Sequence, residues 1–68
     1  MARTYGARRD EASVGWLEFH PLDGDGPVLR TDAETSQASR AALESWSSGI
    51  EAAYLEGAFA RARVVDDR

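Results

Sequence analysis

The chain has 68 residues, with twelve acidic residues against eight basic ones, all of them arginine, and a formal net charge of -4. A chain of this length allows one domain and buries only about 60% of the surface that its unfolded form exposes, so we expect marginal stability. The absence of cysteine excludes disulfides, zinc–thiolate sites and thiol catalysis. Oligomerisation or a partner is then the remaining way to stabilise the domain.

The charge is unevenly distributed along the chain. Arg3, Arg8 and Arg9 give the first nine residues a charge of +3, and the remaining 59 residues carry -7, from five arginines against twelve acids. A body of that sign repels phosphate backbones at long range, which makes nucleic-acid binding an unfavoured function and predicts a protein partner with a basic surface. Net charge also keeps a small domain dispersed, and this explanation needs no partner.

The sequence contains no apolar stretch of about 18 residues that would indicate a membrane span. The amino terminus also lacks the continuous apolar block of a signal peptide. Together with the lack of cysteine, these observations predict a soluble, cytoplasmic protein with no membrane partner.

The first part of the chain predicts a small antiparallel sheet. Residues 1–9 are short and basic, and they are expected to form either a loose arm or a weak strand. Residues 13–31 predict a β-hairpin, because a β-favouring, aromatic-rich run is followed by a turn rich in Asp, Gly and Pro at residues 22–27. A calcium-binding loop is disfavoured here, because Pro21 stands where that motif requires its first Asp.

The hydrophobic pattern of this hairpin predicts its register. Pairing Phe19 with Leu29 and Glu18 with Arg30 sets apolar side chains together on one face and opposite charges together on the other. Since side chains alternate across a strand, Leu17, Phe19 and Leu29 form the predicted inner face. The predicted outer face carries the other large side chains of the first strand: Val14, Trp16, Glu18 and His20.

The second half of the chain predicts one long helix. Thr31 followed by Glu34 forms a capping box, so the helix is expected to begin at Asp32 and to run over residues 32–64, with residues 65–68 as a tail. Small and apolar residues recur at spacings of three and four, which places them on one helix face. These residues are Leu43, Trp46, Ile50, Ala53, Gly57, Ala60 and Val64.

Residues 47–49 leave an alternative open. Ser and Gly are poor helix formers, and Ser48 with Glu51 forms a second capping box, so a break into two helices competes with the continuous form. The three-four spacing keeps its phase through Trp46 and Ile50, which favours the continuous helix. The predicted fold is therefore α+β, with a small antiparallel sheet of two or three strands covered by a long C-terminal helix.

No catalytic constellation, complete metal site or nucleic-acid-binding motif stands out in the sequence. His20 is the only histidine, so no multi-histidine metal site is expected. Serine is plentiful, but no serine stands in a recognisable nucleophile setting. We therefore expect neither an enzyme nor a cofactor.

The preferred function is a small acidic, non-enzymatic protein-interaction module, such as an inhibitor or adaptor of the kind that phages and bacteria encode. Mimicry of nucleic-acid charge is one form that such a function takes. An exposed Trp16 beside Arg30 is typical of an interface anchor, although a Trp also serves as core in so small a domain. The predicted partner-binding residues lie on the outer sheet face and the acidic side of the helix: Trp16, Glu18, Arg30, Glu44, Glu51 and Glu56.

Two alternatives belong to other functional classes. A small DNA-binding module would use the sheet face together with Arg3, Arg8 and Arg9 of the amino-terminal arm. A structural subunit would form a homodimer through its helix, where small residues recur at every fourth position from Ser45 to Gly57 and allow close approach.

Overall fold

The computed structural model describes residues 1–65 and shows an α+β fold, in which a five-stranded antiparallel sheet packs against two short helices. The strands are β1 (Ala2–Arg9), β2 (Ala12–Phe19), β3 (Leu29–Arg30), β4 (Thr35–Gln37) and β5 (Arg63–Val64). The helices are α1 (Arg40–Ser48) and α2 (Ala52–Arg61). Of the predicted tail 65–68, residues 66–68 lie outside the described residues.

The prediction of a two- or three-stranded sheet under one long helix over residues 32–64 is wrong. Part of that range forms β4 and β5, and the remainder is divided into α1 and α2 by a break at Gly49. The longest dimension of the molecule is 35 Å, whereas a continuous helix over this range would measure about 50 Å. Two short helices fit on the sheet, and one long helix would extend beyond it.

Thr31 does not cap a helix, although its spacing to Glu34 matches a capping box. β3 and β4 pair with the same edge of β2, and residues 31–34 between them lie opposite only two residues of β2. At this bulge the Thr31 hydroxyl accepts the Leu17 N–H at 3.1 Å, and the Glu34 N–H donates to the Gly15 carbonyl at 2.8 Å. The two residues therefore satisfy hydrogen bonds of the sheet instead of a helix end.

The helix ends are set by residues further along the chain. Ser39 caps α1, and its hydroxyl accepts the Ala42 N–H at 3.1 Å. Gly49 ends α1 by donating its N–H back to carbonyls in the last turn, as expected where Ser and Gly lower helix propensity. Glu51 occupies the cap position of α2 without a side-chain cap hydrogen bond.

The amino-terminal segment is a full strand and not a loose arm. β1 and β2 pair through all eight residues of each strand, and Asp10 in the turn between them has a positive φ of 55°. Asp tolerates this left-handed conformation better than most residues. The predicted register of β2 with β3, Phe19 with Leu29 and Glu18 with Arg30, is confirmed.

Both helices pack on the inner face of the sheet, and the core between them is small. Leu17 is fully buried on this face, and Ala58 is the buried residue of α2. The Phe59 ring of α2 meets the Phe19 ring edge to face, with centroids 5.1 Å apart. Because few side chains are enclosed, each of these contacts contributes a large share of the stability.

A pair of glycines lets α1 approach the sheet closely. Gly6 and Gly15 are direct cross-strand partners. A Cβ atom on Gly15 would lie 2.7 Å from Leu43 Cδ1 and 3.1 Å from Trp46 Cζ3, and one on Gly6 would lie 2.5 Å from Leu43 Cδ2. Only glycine at both positions leaves a depression that accepts the Leu43 side chain.

Gly15→Ala is expected to lower the free energy of unfolding by about 1–3 kcal/mol, because the added methyl group overlaps Leu43 in a packed contact. Gly57→Ala is the matched control, since a Cβ atom there meets only the end of the Arg61 side chain at 3.4 Å. Alanine at that helical position is expected to stabilise the fold by about 0.4–1 kcal/mol. Urea denaturation measures both changes, and destabilisation of equal size by both substitutions would contradict the close approach at Gly15.

Candidate functional site

The outer face of the sheet carries a group of aromatic and charged side chains, which we call the outer-face cluster. Its members are Tyr5, Arg9, Trp16, Glu18, His20 and Arg30. Tyr5 lies directly opposite Trp16, and Arg30 directly opposite Glu18, and paired residues project from the same face. Both helices pack on the opposite face, so no helix within residues 1–65 covers this cluster.

Aromatic rings form the centre of the outer-face cluster. The Tyr5 and Trp16 rings stack with centroids 6.2 Å apart and an angle of 12° between their planes. Tyr5 also stacks with His20 at a centroid distance of 6.3 Å. The Arg9 guanidinium lies 5.9 Å from the Trp16 ring centroid, which is within cation–π range. Tyr5 and Trp16 are partly buried but not enclosed, so some ring surface is accessible.

Glu18 is the buried carboxylate of the cluster, with 6% of the residue exposed. It accepts hydrogen bonds from Arg30 Nε at 2.9 Å and from the Trp16 indole at 3.4 Å, and His20 Nε2 lies 3.1 Å from its second oxygen. Burial alone raises the pKa of Glu18, but the hydrogen bonds from Arg30, Trp16 and His20 outweigh it and hold the pKa below its usual value. The carboxylate is therefore ionised and fully partnered.

Four arginines share the outer face. Arg3 lies opposite Glu18, and Arg63 lies opposite Arg30, so these residues form one row across β1, β2, β3 and β5. Arg9 adds a fourth guanidinium at the end of β1. Among the strand-paired residues of this face, Glu18 is the one acid. The face is therefore locally positive, although the whole chain has a net charge of -4.

The structure brings together half of the predicted partner-binding residues. Trp16 and Arg30 both donate hydrogen bonds to Glu18 in the outer-face cluster. The other three residues are exposed on the helical side of the molecule: Glu44 in α1, Glu51 at the cap of α2 and Glu56 within α2. The predicted site is therefore divided between two surfaces.

The arginines predicted to bind nucleic acid lie on both faces of β1. Side chains alternate along a strand, so Arg3 and Arg9 project from the outer face and Arg8 from the inner face. Arg8 borders an open groove between β1 and α1, whose lining includes Arg40 and Leu43.

Sequence reasoning missed Tyr5 and Arg63 as members of the outer face. The alternation of Arg3, Tyr5 and Arg9 identifies a shared face once the amino-terminal segment is taken as a strand. Arg63 carried no such signal, because it lay within the predicted helix. Only the pairing of β5 with β3 places it beside Arg30.

A second polar cluster joins α2 to the bulge between β3 and β4. The Tyr54 hydroxyl and the Arg61 guanidinium both donate to the Glu34 carboxylate, and the guanidinium lies 5.9 Å from the Tyr54 ring centroid. The hydrogen bond to Glu34 raises the pKa of Tyr54 above its usual value, and burial adds to this effect. Because these three groups satisfy one another, we interpret the cluster as a structural link.

Comparison with protein-family models, curated proteins and solved structures finds no match to this chain. Across residues 1–65, neither helix has both the length and the apolar character needed to cross a bilayer. The same residues contain no group of three or more potential metal-ligating His, Asp or Glu side chains. The functional argument therefore rests on the geometry of the outer face.

Glu18→Gln is expected to lower stability at neutral pH by about 1–3 kcal/mol, because the buried Arg30 hydrogen bond loses its charged acceptor. The pKa of folded Glu18 lies below the ordinary value of 4.5. The ionised carboxylate thus contributes stability that is present above the unfolded pKa and lost as the pH falls through the folded pKa.

Thermal denaturation between about pH 3 and 7 tests this linkage. The wild-type protein should lose stability more steeply than the Glu18→Gln variant on the acid side. Glu56→Gln is the matched control, because Glu56 is exposed on α2, and it should follow the wild type. If the wild type and Glu18→Gln lose stability equally as the pH falls, Glu18 does not have the lowered pKa.

Proposed function

We propose that this chain is a non-enzymatic protein-interaction module that contacts its partner through the outer-face cluster. The observation that carries this proposal is the partly exposed stack of Tyr5 and Trp16 beside Arg9, on a sheet face that no described helix covers. Trp, Tyr and Arg are the residues most enriched at the energetic centres of protein interfaces. A paired sheet also holds them in place before binding, which lowers the entropy cost.

A role in the core does not account for these aromatic residues. The buried hydrophobic side chains of the described residues, Leu17 and Ala58, belong to the inner face and α2. Tyr5 and Trp16 instead stack on each other and retain exposed surface. Covering that surface with a partner would remove further apolar area from water, which is the main driving force of association.

The charge of the outer face indicates an acidic partner segment. Arg30 uses Nε and one terminal nitrogen on Glu18, which leaves further guanidinium N–H groups for a second carboxylate. Its side chain is 49% exposed. Arg3 and Arg63 flank it in the same row, so several carboxylates of one segment would find donors.

The sequence-based prediction of a basic partner stays a prediction. It rests on the charge of -7 carried by residues 10–68, and it included both the outer sheet face and the helical side. On the helical side, Glu44, Glu51 and Glu56 are exposed on separate elements. Glu44 also pairs with Arg40 at 3.2 Å. We place the contact on the outer face, because aromatic and arginine side chains converge there.

One observation also favours the alternative of nucleic-acid binding. Single strands bind surfaces on which aromatic rings stack with bases and arginines contact phosphates. Tyr5, Trp16, Arg3 and Arg9 lie together on this face. We place this function second, because the negative charge of the remaining chain opposes phosphate binding at long range.

Self-association also stays a prediction. The continuous helix that it required is replaced by α1 and α2. Within the range of the predicted helix, three large apolar side chains are exposed: Tyr54 by 39%, Phe59 by 54% and Val64 by 62%. Three such side chains supply only a small part of the area that a stable dimer buries.

Trp16→Ala is expected to weaken binding of an acidic peptide by tenfold or more, or about 1.4 kcal/mol. The probe is a flexible peptide of about ten residues that alternates glutamate and glycine around one tyrosine, added in a chemical-shift titration. The wild type should show shifts at Tyr5, Trp16 and Arg30. Glu56→Gln should bind with unchanged affinity, because Glu56 lies in α2.

An oligodeoxythymidine of about 15 nucleotides, titrated in parallel, separates the two candidate functions. Nucleic-acid binding would be supported if the oligonucleotide binds more tightly than the peptide. Its binding should also be weakened by salt and lost in Trp16→Ala. The absence of shifts at Tyr5, Trp16 and Arg30 with both probes would contradict both functions.

A further inference from the structure

The outer edge of β1 is an open hydrogen-bonding edge along a strand of eight residues. β1 stands at the end of the sheet order β1-β2-β3-β5, and within residues 1–65 it pairs only with β2. Native sheets usually protect such an edge with charged side chains, proline, a bulge or a covering element. β1 contains no proline, and its register with β2 is unbroken. The edge therefore retains the geometry needed to pair with another strand.

Alternate residues of β1 direct their backbone groups toward this edge. Met1 and His20 exchange both backbone hydrogen bonds, each 2.8 Å long. In an antiparallel ladder such pairs recur at every second residue, so the odd-numbered residues of β1 bond to β2. The even-numbered residues therefore point their N–H and C=O groups away from β2: Ala2, Thr4, Gly6 and Arg8.

Arginines flank the open edge on both faces of the sheet. Arg3 and Arg9 are exposed on the outer face. Arg8 is exposed on the inner face, beside the groove whose lining also includes Arg40. A strand added to β1 would set its alternating side chains next to these two sets of guanidinium groups. Carboxylates match both positions.

Pairing of β1 with a second copy of itself about Gly6 is unfavourable. Antiparallel pairing of two β1 strands about Gly6 would set Arg3 of each copy directly opposite Arg9 of the other. Like charges in direct cross-strand pairs destabilise a sheet. In that register the arginines disfavour self-pairing, whereas an acidic strand finds opposite charges beside Arg3, Arg8 and Arg9.

We propose that the partner adds to β1 as an extra strand, and that the added segment is an acidic, extended stretch of another protein. This inference rests on the proposed function, and it adds the conformation of the partner and a second contact region. Backbone hydrogen bonds to the even-numbered residues provide affinity, and carboxylates beside Arg3, Arg8 and Arg9 provide selectivity. On the outer face the added strand lies next to Tyr5, which connects this edge to the outer-face cluster.

Amide hydrogen exchange measures strand addition directly. The probe is a blocked peptide of about eight residues that alternates glutamate and valine. When the peptide is present at about ten times its Kd, hydrogen exchange of the outward amides should slow about tenfold. The outward amides are those of Ala2, Thr4, Gly6 and Arg8. The Arg3, Tyr5 and Ala7 amides already bond to β2 and should change little. Unchanged exchange of the outward amides in the saturated complex overturns the inference.

A pair of variants at Thr4 tests the same hydrogen bonds from the protein side. Thr4→Pro removes an outward N–H without removing a bond to β2. Thr4→Ala is the matched control, because it removes the same hydroxyl contact with Ser47 and keeps the N–H. Thr4→Pro should bind the glutamate–valine peptide at least tenfold more weakly than Thr4→Ala, and equal affinity overturns the inference. If Thr4→Pro fails to fold, a peptide with proline at alternate positions tests the same bonds from the ligand side.

The outcomes separate this inference from the proposed function. One outcome is that an acidic peptide interrupted by proline binds as tightly as the glutamate–valine peptide, and that its binding depends on Trp16. This result overturns strand addition but supports the outer-face contact. A second outcome is that the peptide protects the outward amides equally well in the wild type and in Trp16→Ala. This result supports strand addition and contradicts the role of the outer-face cluster. A lysine–valine peptide that binds as tightly as the glutamate–valine peptide overturns the selection of acidic segments.

Discussion

The contact of Leu43 with the Gly6–Gly15 pair determines which side of this small sheet is covered. The two glycines face each other across β1 and β2, and no side chain other than hydrogen leaves room for the leucine. This contact holds α1 on the inner face, and the edge-to-face contact of Phe59 with Phe19 holds α2 there as well. Because both helices are committed to one face, the opposite face keeps its aromatic and arginine side chains accessible.

The outer face is organised around a buried carboxylate. Glu18 joins β2 to β3 through Arg30 and orients Trp16 and His20 through the same two oxygens. A buried charge of this kind is costly unless it is fully partnered. Here it is fully partnered, so the stacked rings and guanidinium groups are positioned before any partner arrives. This arrangement supports the binding surface that we propose.

Local patterns predicted the hairpin well and the carboxyl-terminal half poorly. The alternation around Phe19 sufficed for the register of β2 with β3, because a slip of one residue would exchange the two faces. The capping signal at Thr31 and Glu34 failed, because the same polar groups meet sheet donors and acceptors at the bulge. The helical spacing continues in phase across Gly49, so the spacing did not reveal that residues 49–51 separate two helices.

Residue order alone determined two features of the fold, because alternation and turn chemistry act over a few residues. These features are the division of the chain into a strand-rich first half and a helix-rich second half, and the faces of β2. Only the tertiary structure determined the arginine row and the open edge of β1. It also decided that Glu44, Glu51 and Glu56 lie apart from the outer face. These features arise from pairings between residues far apart in the chain, such as Arg30 with Arg63. No local signal reports which distant backbone groups will satisfy each other.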